Sequence, residues 1–355
     1  FLEGDHEAAR SWAERALEVS RDDEPADAVI LALQYRGSAR AELGDPQGLE
    51  DMRAAVRLAK QANLTEEAGV GMTNLAYLVW MREGPAASLE IALENESFSA
   101  QRGFLHNVMW AKAAQLEALF DLGTWDRLIE VADEVIAWDS PDGRVGSTVG
   151  AWARVAEAWV LARRGDLDRA AALVQDVEGA SQLMENTEFF ATALSLRAWI
   201  AWCRGDLAEA RTHLDDFAKA TADAPEVRVH FLPIAARILA DAGDVDAAEA
   251  LLPPGPDPPV ARRRLSAETA RAVIAEARGD LRRAADRYAA AANGWEAFGF
   301  VLERGQCLLG RGRSLLRLGQ RKEARAALRA AREVLEPLGP RSTLDEIDAL
   351  LAERR

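Results

Sequence analysis

A glycine recurs along the whole chain at intervals of 36 to 42 residues, and this period constrains the fold more than any other feature. The recurring glycines are Gly4, Gly44, Gly84, Gly123, Gly165, Gly205, Gly243, Gly279 and Gly319. A period of this size is typical of a repeat protein, in which each unit buries its apolar face against its neighbours. The sequence therefore predicts about nine stacked units.

The residues around each glycine predict a turn between two helices. An Asp follows the glycine in six units, as at Asp166 and Asp206. Gly adopts the left-handed conformation that ends one helix, and Asp accepts hydrogen bonds from the N–H groups that begin the next. The flanking segments, such as 151–164 and 167–177, have apolar residues three and four apart, and no stretch alternates like a strand. Each unit is thus predicted to be a helical hairpin.

These residues resemble the tetratricopeptide repeat, which has a small residue in its first helix, a Gly-Asp turn and Ala positions in its second. The units are longer than the usual 34 residues. They resemble the repeats in the C-terminal regions of LuxR-type ATP-binding transcription regulators related to the maltose activator, and in NTPase-linked adenylate/guanylate cyclases. The resemblance is clearest over 304–350. It implies an all-α, right-handed superhelical solenoid in a cytoplasmic chain, with the NTPase and effector domains of that chain as partners.

The repeat pattern also predicts the organisation of the chain. Units one to seven span 1–252, a proline-rich segment spans 253–264, units eight and nine span 265–341, and a capping helix spans 342–355. The proline-rich segment is either an irregular unit or a hinge. Only three residues precede Gly4, so we expect unit one to be truncated and the chain to be a fragment of a longer protein.

Composition excludes several classes of function. The formal net charge of −15 disfavours direct binding of nucleic acid. No apolar run has the length of a membrane span, so no membrane partner is expected. The two cysteines, Cys203 and Cys307, fit no metal or redox spacing and are expected to be reduced thiols, which is consistent with a cytoplasmic location.

No catalytic signature is present in the sequence. The glycine-rich segment 143–150 lacks the lysine of a phosphate-binding loop, and the four histidines are scattered across units. Acidic pairs such as 215–216 are typical of solvated helix faces. We therefore expect no enzymatic activity, no cofactor and no metal.

The tryptophans suggest a binding groove. In the tetratricopeptide pattern, groove-facing residues lie thirteen, ten, six and three positions before the turn glycine. Five tryptophans occupy such positions, and in unit seven these positions hold a histidine and an arginine; the seven residues are Trp110, Trp152, Trp159, Trp199, Trp202, His230 and Arg237. An aromatic strip with separated polar groups suits a ligand groove. The alternative is that these tryptophans belong to the core between repeats.

Three hypotheses for function follow. The first is a regulatory sensor domain of a signalling NTPase or transcription regulator, which binds a small molecule or a partner domain in its groove. The second is a scaffold that binds a protein or peptide and senses no small molecule. The third, an all-helical enzyme, has no candidate residue.

Overall fold

The computed structural model describes residues 5–19, 26–140, 145–184 and 187–352. These described residues form α-helices joined by short turns, and they contain no strand. The helices are α1 (His6–Val19), α2 (Ala26–Glu42), α3 (Gln47–Gln61), α4 (Thr65–Arg82), α5 (Pro85–Ala100), α6 (Leu105–Asp121), α7 (Trp125–Asp139), α8 (Thr148–Arg164), α9 (Leu167–Met184), α10 (Thr187–Cys203), α11 (Leu207–Ala220), α12 (Pro225–Asp241), α13 (Val245–Ala250), α14 (Ala261–Ala277), α15 (Leu281–Phe298), α16 (Val301–Arg317), α17 (Arg321–Leu335) and α18 (Arg341–Ala352).

In six of the units the two helices pack as a hairpin, as the repeat predicts: α2 with α3, α4 with α5, α8 with α9, α10 with α11, α12 with α13 and α16 with α17. The even-numbered helices α2 to α16 are the first helices of the units, because each is followed by a turn glycine. Eight of the nine predicted turn glycines have a positive φ, for example 92° at Gly165, and Gly4 lies outside the described residues. The Asp after the glycine accepts the expected hydrogen bond: Asp206 Oδ1 lies 2.9 Å from the backbone nitrogen of Glu209. The all-α solenoid predicted from the sequence is confirmed.

The chain divides into two compact units. The first contains Phe1–Ala118 and Pro259–Ala261, and the second contains Leu119–Pro258 and Arg262–Arg355. The boundary near residue 118 carries no proline-rich signal, and the sequence did not predict it.

Around the proline-rich segment, α13 has six residues and is followed by turns up to residue 260. Proline shortens the second helix of this unit because it lacks a backbone donor and clashes with the preceding turn. Whether the segment is a hinge stays a prediction. Helix α18 occupies most of the span 342–355 that was predicted to be a capping helix, and residues 353–355 lie outside the described part; its capping role stays a prediction.

In the second unit, the last helix packs against a helix from much earlier in the chain. Helix α18 packs against α8, and Arg164 Nε donates a hydrogen bond of 3.3 Å to the carbonyl oxygen of Leu338 in the turn before α18. The main apolar cluster of this unit lies between α8, α9 and α10, and it includes the buried rings of Trp159, Phe189 and Trp199.

Candidate functional site

The second unit contains a cavity of about 640 Å³. Five helices line it: α10, α12, α14, α16 and α18. Four of them are the first helices of successive units, and the fifth is the capping helix. Their side chains in the wall are Trp199, Trp202, Arg237, Ala240, Asp241, Val273, Glu276, Ala277, Gln306, Arg313, Leu316, Arg317, Ser342, Thr343, Glu346 and Leu350.

The wall residues recur at fixed positions in the repeat. In each of the four units, the residues six and three positions before the turn glycine line the cavity; the pairs are Trp199 and Trp202, Arg237 and Ala240, Val273 and Glu276, and Arg313 and Leu316. A helix places residues three or four apart on one face, so a constant offset from the turn puts the same face of each first helix towards the same space.

One side of the cavity is aromatic. The ring centroids of Trp199 and Trp202 lie 4.7 Å apart with the rings tilted by 46°. The indole nitrogen of Trp202 donates a hydrogen bond of 2.9 Å to Oδ2 of Asp241. Burial raises the pKa of the Asp241 carboxyl, because it disfavours the charged form more than this hydrogen bond and the charge of Arg313 favour it.

Another part of the wall is ionic, and two of its arginines, Arg313 and Arg237, are paired with carboxylates. Arg313 donates two hydrogen bonds of 2.9 Å to the carboxylate of Glu276 and one of 2.8 Å to Glu346. Burial alone would lower the pKa of Arg313, but its hydrogen bond and charge interaction with Glu276 raise it. Arg237 is held by Glu303 through two hydrogen bonds of 2.9 and 2.7 Å. The wall therefore presents hydrogen-bonding groups of both kinds with little net charge.

A buried arginine lies against the face of Trp199. The guanidinium carbon of Arg163 is 3.5 Å from the centroid of the Trp199 ring and 5.5 Å from that of Trp159. Arg163 is 2% exposed, and Nε and Nη1 have no hydrogen-bond acceptor among the described residues. The indole nitrogen of Trp199 also has no hydrogen-bond acceptor among the described residues. Burial lowers the pKa of Arg163 to about 10, which still leaves it charged at neutral pH.

The structure brings three of the seven predicted groove residues to the cavity, namely Trp199, Trp202 and Arg237. Trp159 is buried in the apolar cluster, and Trp152 packs on Phe189 with ring centroids 4.5 Å apart. Both lie on α8, against which α10 and α18 pack.

The other two predicted residues lie elsewhere. His230 is partly buried beside Phe231, and burial, together with the charges of Arg263 and Arg262, lowers its pKa well below the usual value. Trp110 lies in the first unit, where its indole nitrogen donates a hydrogen bond of 3.0 Å to Nε2 of His106. The role of all seven residues in binding stays a prediction.

Three important residues were missed by the sequence analysis. Glu276 occupies the position three before its turn glycine, so the same rule could have found it. Asp241 and Arg163 both lie two positions before theirs, a position that the rule does not include. Their roles depend on how deeply the side chains are buried and on whether they have hydrogen-bond partners, and the spacing of residues in the sequence reveals neither.

Within the described ranges, no helix is long and apolar enough to cross a membrane, and no cluster of three His, Cys, Asp or Glu side chains is arranged to hold a metal ion.

Comparison with known proteins agrees with the fold. Four stretches match the tetratricopeptide repeat family, at residues 151–176, 191–216, 234–252 and 305–330. The chain is a tetratricopeptide-like helical solenoid. No curated protein matches its sequence.

Among solved structures, the fold is similar to the crystal structure of Rap protein complexed with competence and sporulation factor. The TM-score is 0.61 at 12% identity, over 94% of this chain and 92% of that one. The structure of Naa15/Naa10 bound to HypK-THB is matched with a TM-score of 0.32 at 16% identity, over 98% of this chain and 65% of that one. The second score is too low to support an argument.

Proposed function

We propose that the chain is a protein-interaction scaffold and that its second unit binds an extended peptide segment of a partner in the cavity. The observation that carries this proposal is the convergence of five helices on one cavity with an aromatic side and an ionic side. Its volume lies in the range of about 300–1,000 Å³ that is usual for ligand sites.

The chemistry of the wall favours a peptide. A peptide backbone needs acceptors for its N–H groups and donors for its carbonyl oxygens. Asp241 and Glu346 supply acceptors, while Arg317, Ser342 and Thr343 supply donors. The paired charges of the wall disfavour a strongly acidic or strongly basic segment, and the tryptophans offer a surface to an apolar side chain. The likeness to Rap protein supports this proposal because that protein is seen in complex with a factor.

The regulatory sensor remains the second proposal, and one observation favours it. Helix α18 contributes Ser342, Thr343, Glu346 and Leu350 to the cavity and also packs against α8. A ligand that binds one arrangement of α18 better than another would shift the population towards that arrangement. That such a shift acts on an NTPase or effector domain is inferred from the resemblance alone. For either function we propose that the chain is not an enzyme.

The test is selection of binders from a library of short random peptides on the immobilised full chain. Enriched peptides are then measured by fluorescence anisotropy against Trp202→Ala and, as a matched control, Trp138→Ala, which is also partly buried but does not line the cavity. We expect Trp202→Ala to weaken binding by about tenfold or more and Trp138→Ala to leave it unchanged. Failure to enrich any peptide, or equal affinity of both variants, would contradict the proposal.

A further inference from the structure

We propose that Arg163 and the indole N–H of Trp199 form an anchor for one carboxylate of the bound peptide. This inference rests on the proposed function, and it names the chemical group that fixes the peptide in the cavity. The carboxylate is either the C-terminus of the peptide or an Asp or Glu side chain, and the experiment below separates these two sources.

The first step is the contrast between Arg163 and three other buried or partly buried arginines of this unit. Arg154 is paired with Asp139, Arg237 with Glu303, and Arg262 with Asp121. Arg163 is buried as deeply as Arg154, yet two of its nitrogen donors have no acceptor within the described residues. A buried charged donor without an acceptor is unfavourable, so an incoming acceptor would gain the full strength of the missing hydrogen bonds.

The second step is the lack of an acceptor for Nε and Nη1 of Arg163 among the described residues. The carboxylate whose charge most affects Arg163 is that of Glu303, and both of its oxygens already accept hydrogen bonds from Arg237. The rings of Trp159 and Trp199 stabilise the guanidinium through their faces, but they accept no conventional hydrogen bond from its edge. No described residue accepts a hydrogen bond from Nε or Nη1, so a ligand group that reaches them would supply the missing acceptor.

The third step is the position of these donors next to the cavity. Trp199 belongs to the cavity wall. Cys203 also lies between this region and the wall: burial raises the pKa of its thiol, and the charge of Arg163 and a hydrogen bond with Ser342, a wall residue, lower it in part. Arg163 thus lies directly against a residue of the cavity wall, Trp199.

The fourth step is the charge of the ligand group. Arg313 and Arg237 in the wall have carboxylate partners, whereas Arg163 is positively charged and has no carboxylate within hydrogen-bond distance of Nε and Nη1. One positive charge complements a monoanion such as a carboxylate better than a dianion such as a phosphate. A carboxylate also has about four lone-pair positions, enough to accept from Arg163 and Trp199 together.

Access to the anchor requires a side chain to move. Trp199 is 1% exposed and Arg163 is 2% exposed, so a carboxylate reaches them only when Trp199 or a neighbouring side chain moves. Binding that requires such a change is slower than simple docking. We therefore expect slow association.

The experiment combines changes in the peptide with changes in the protein. The probe is the peptide enriched by the full chain from a library with free C-termini. It is compared with a C-terminal amide form and with forms in which each Asp or Glu is replaced by Asn or Gln. We expect one of these changes to weaken binding to the native chain by about tenfold or more, which identifies the source of the carboxylate.

The protein variants show whether Arg163 is the partner. In Arg163→Gln the same peptide change should have little further effect, because the anchor is already lost. Trp199→Phe keeps the ring against the guanidinium, removes the N–H, and should give a smaller loss. Arg329→Gln, at an exposed arginine outside the cavity, is the control and should behave like the native chain.

Two results would overturn the inference. If amidation of every carboxylate leaves the affinity unchanged, or if the loss is the same in Arg163→Gln as in the native chain, Arg163 binds no carboxylate, and the peptide-binding function stands without this anchor. If no peptide is enriched at all, the proposed function fails and the inference fails with it. Circular dichroism of Arg163→Gln checks its fold, and Trp199→Phe keeps the test valid if that variant does not fold.

Discussion

Helix α8 carries a buried arginine near each end, and the two arginines differ in their hydrogen-bond partners. Near the first turn, Arg154 donates to Oδ2 of Asp139 at 3.2 Å and to the carbonyl oxygen of Gly150 at 3.1 Å. In the last turn, Arg163 rests on aromatic rings, and Nε and Nη1 have no acceptor in the described structure. Both are 2% exposed.

The difference teaches that burial alone does not indicate what an arginine does. The Arg154 end is a closed structural site: Asp139, the last residue of α7, also accepts hydrogen bonds from the backbone nitrogen of Gly146 and the hydroxyl of Ser147, just before α8. At the Arg163 end, Nε and Nη1 of the buried guanidinium have no hydrogen-bond acceptor among the described residues. We interpret the first as a contribution to stability and the second as a contribution to binding.

The largest expected effect is at the paired end. Arg154→Met leaves the buried Asp139 carboxylate without its cation, and we expect a loss of about 3–5 kcal/mol in the free energy of unfolding. Urea denaturation followed by circular dichroism measures it. A loss below about 1 kcal/mol would show that the pair is not the structural element that we describe.

A smaller loss in the free energy of unfolding is expected when a methyl group is added next to Asp139. A Cβ atom at Gly150 would come within 2.8 Å of Cβ of Asp139 and still closer to its carboxylate. Gly150→Ala should therefore displace Asp139 and lower the free energy of unfolding by about 1–3 kcal/mol. In the double variant with Arg154→Met the two losses should be less than additive, because both act on the same carboxylate. Full additivity would contradict this.

At the other end of α8, substitution of the arginine should raise the free energy of unfolding and not lower it. Arg163→Met removes a buried charge that lacks hydrogen-bond acceptors and loses its attraction to two aromatic rings. Since the desolvation of the charge outweighs that attraction, we expect a gain of about 1 kcal/mol in the same denaturation experiment. A loss comparable to that of Arg154→Met would mean that Arg163 is a structural residue after all.

The smallest effect is on a neighbouring thiol. Burial raises the pKa of Cys203, while the positive charge of Arg163 lowers it in part. Arg163→Met should raise this pKa further, so less thiolate is present at a given pH, and the rate profile of alkylation by iodoacetamide should move to higher pH. Cys307, fully buried with a pKa raised to about 12, should remain unreactive in both proteins and serves as the internal control. An unchanged profile would show that Arg163 does not act on Cys203.

Most of the fold could be predicted because it repeats. The turn glycines, the Asp residues that follow them and the hairpins depend on local interactions that recur at each unit, so one interpretation explains eight turns. The offsets of six and three positions also indicated the face of each first helix that lines the cavity, as Trp199, Trp202 and Arg237 show.

The rest depends on contacts between residues that are distant in the sequence. Trp159 and Trp199 have the same offset from their glycines, yet only Trp199 belongs to the cavity wall. Helix α18 returns to pack on α8, and no feature of a single repeat predicts this return. The difference between Arg154 and Arg163 has the same origin, because an acceptor for each side chain has to come from another helix or loop.

The return of α18 to α8 has a consequence for how the second unit unfolds. In a stack where each repeat touches only its neighbours, the ends fray first and the repeats open one after another. Here Arg164 and the turn at Leu338 are in contact across 174 positions of sequence, so the turn before the last helix is held by α8. Opening α18 therefore requires breaking contacts at both ends of the span. Amide hydrogens of α8 to α18 should then exchange with solvent as one cooperative group, with no gradient from the end inwards.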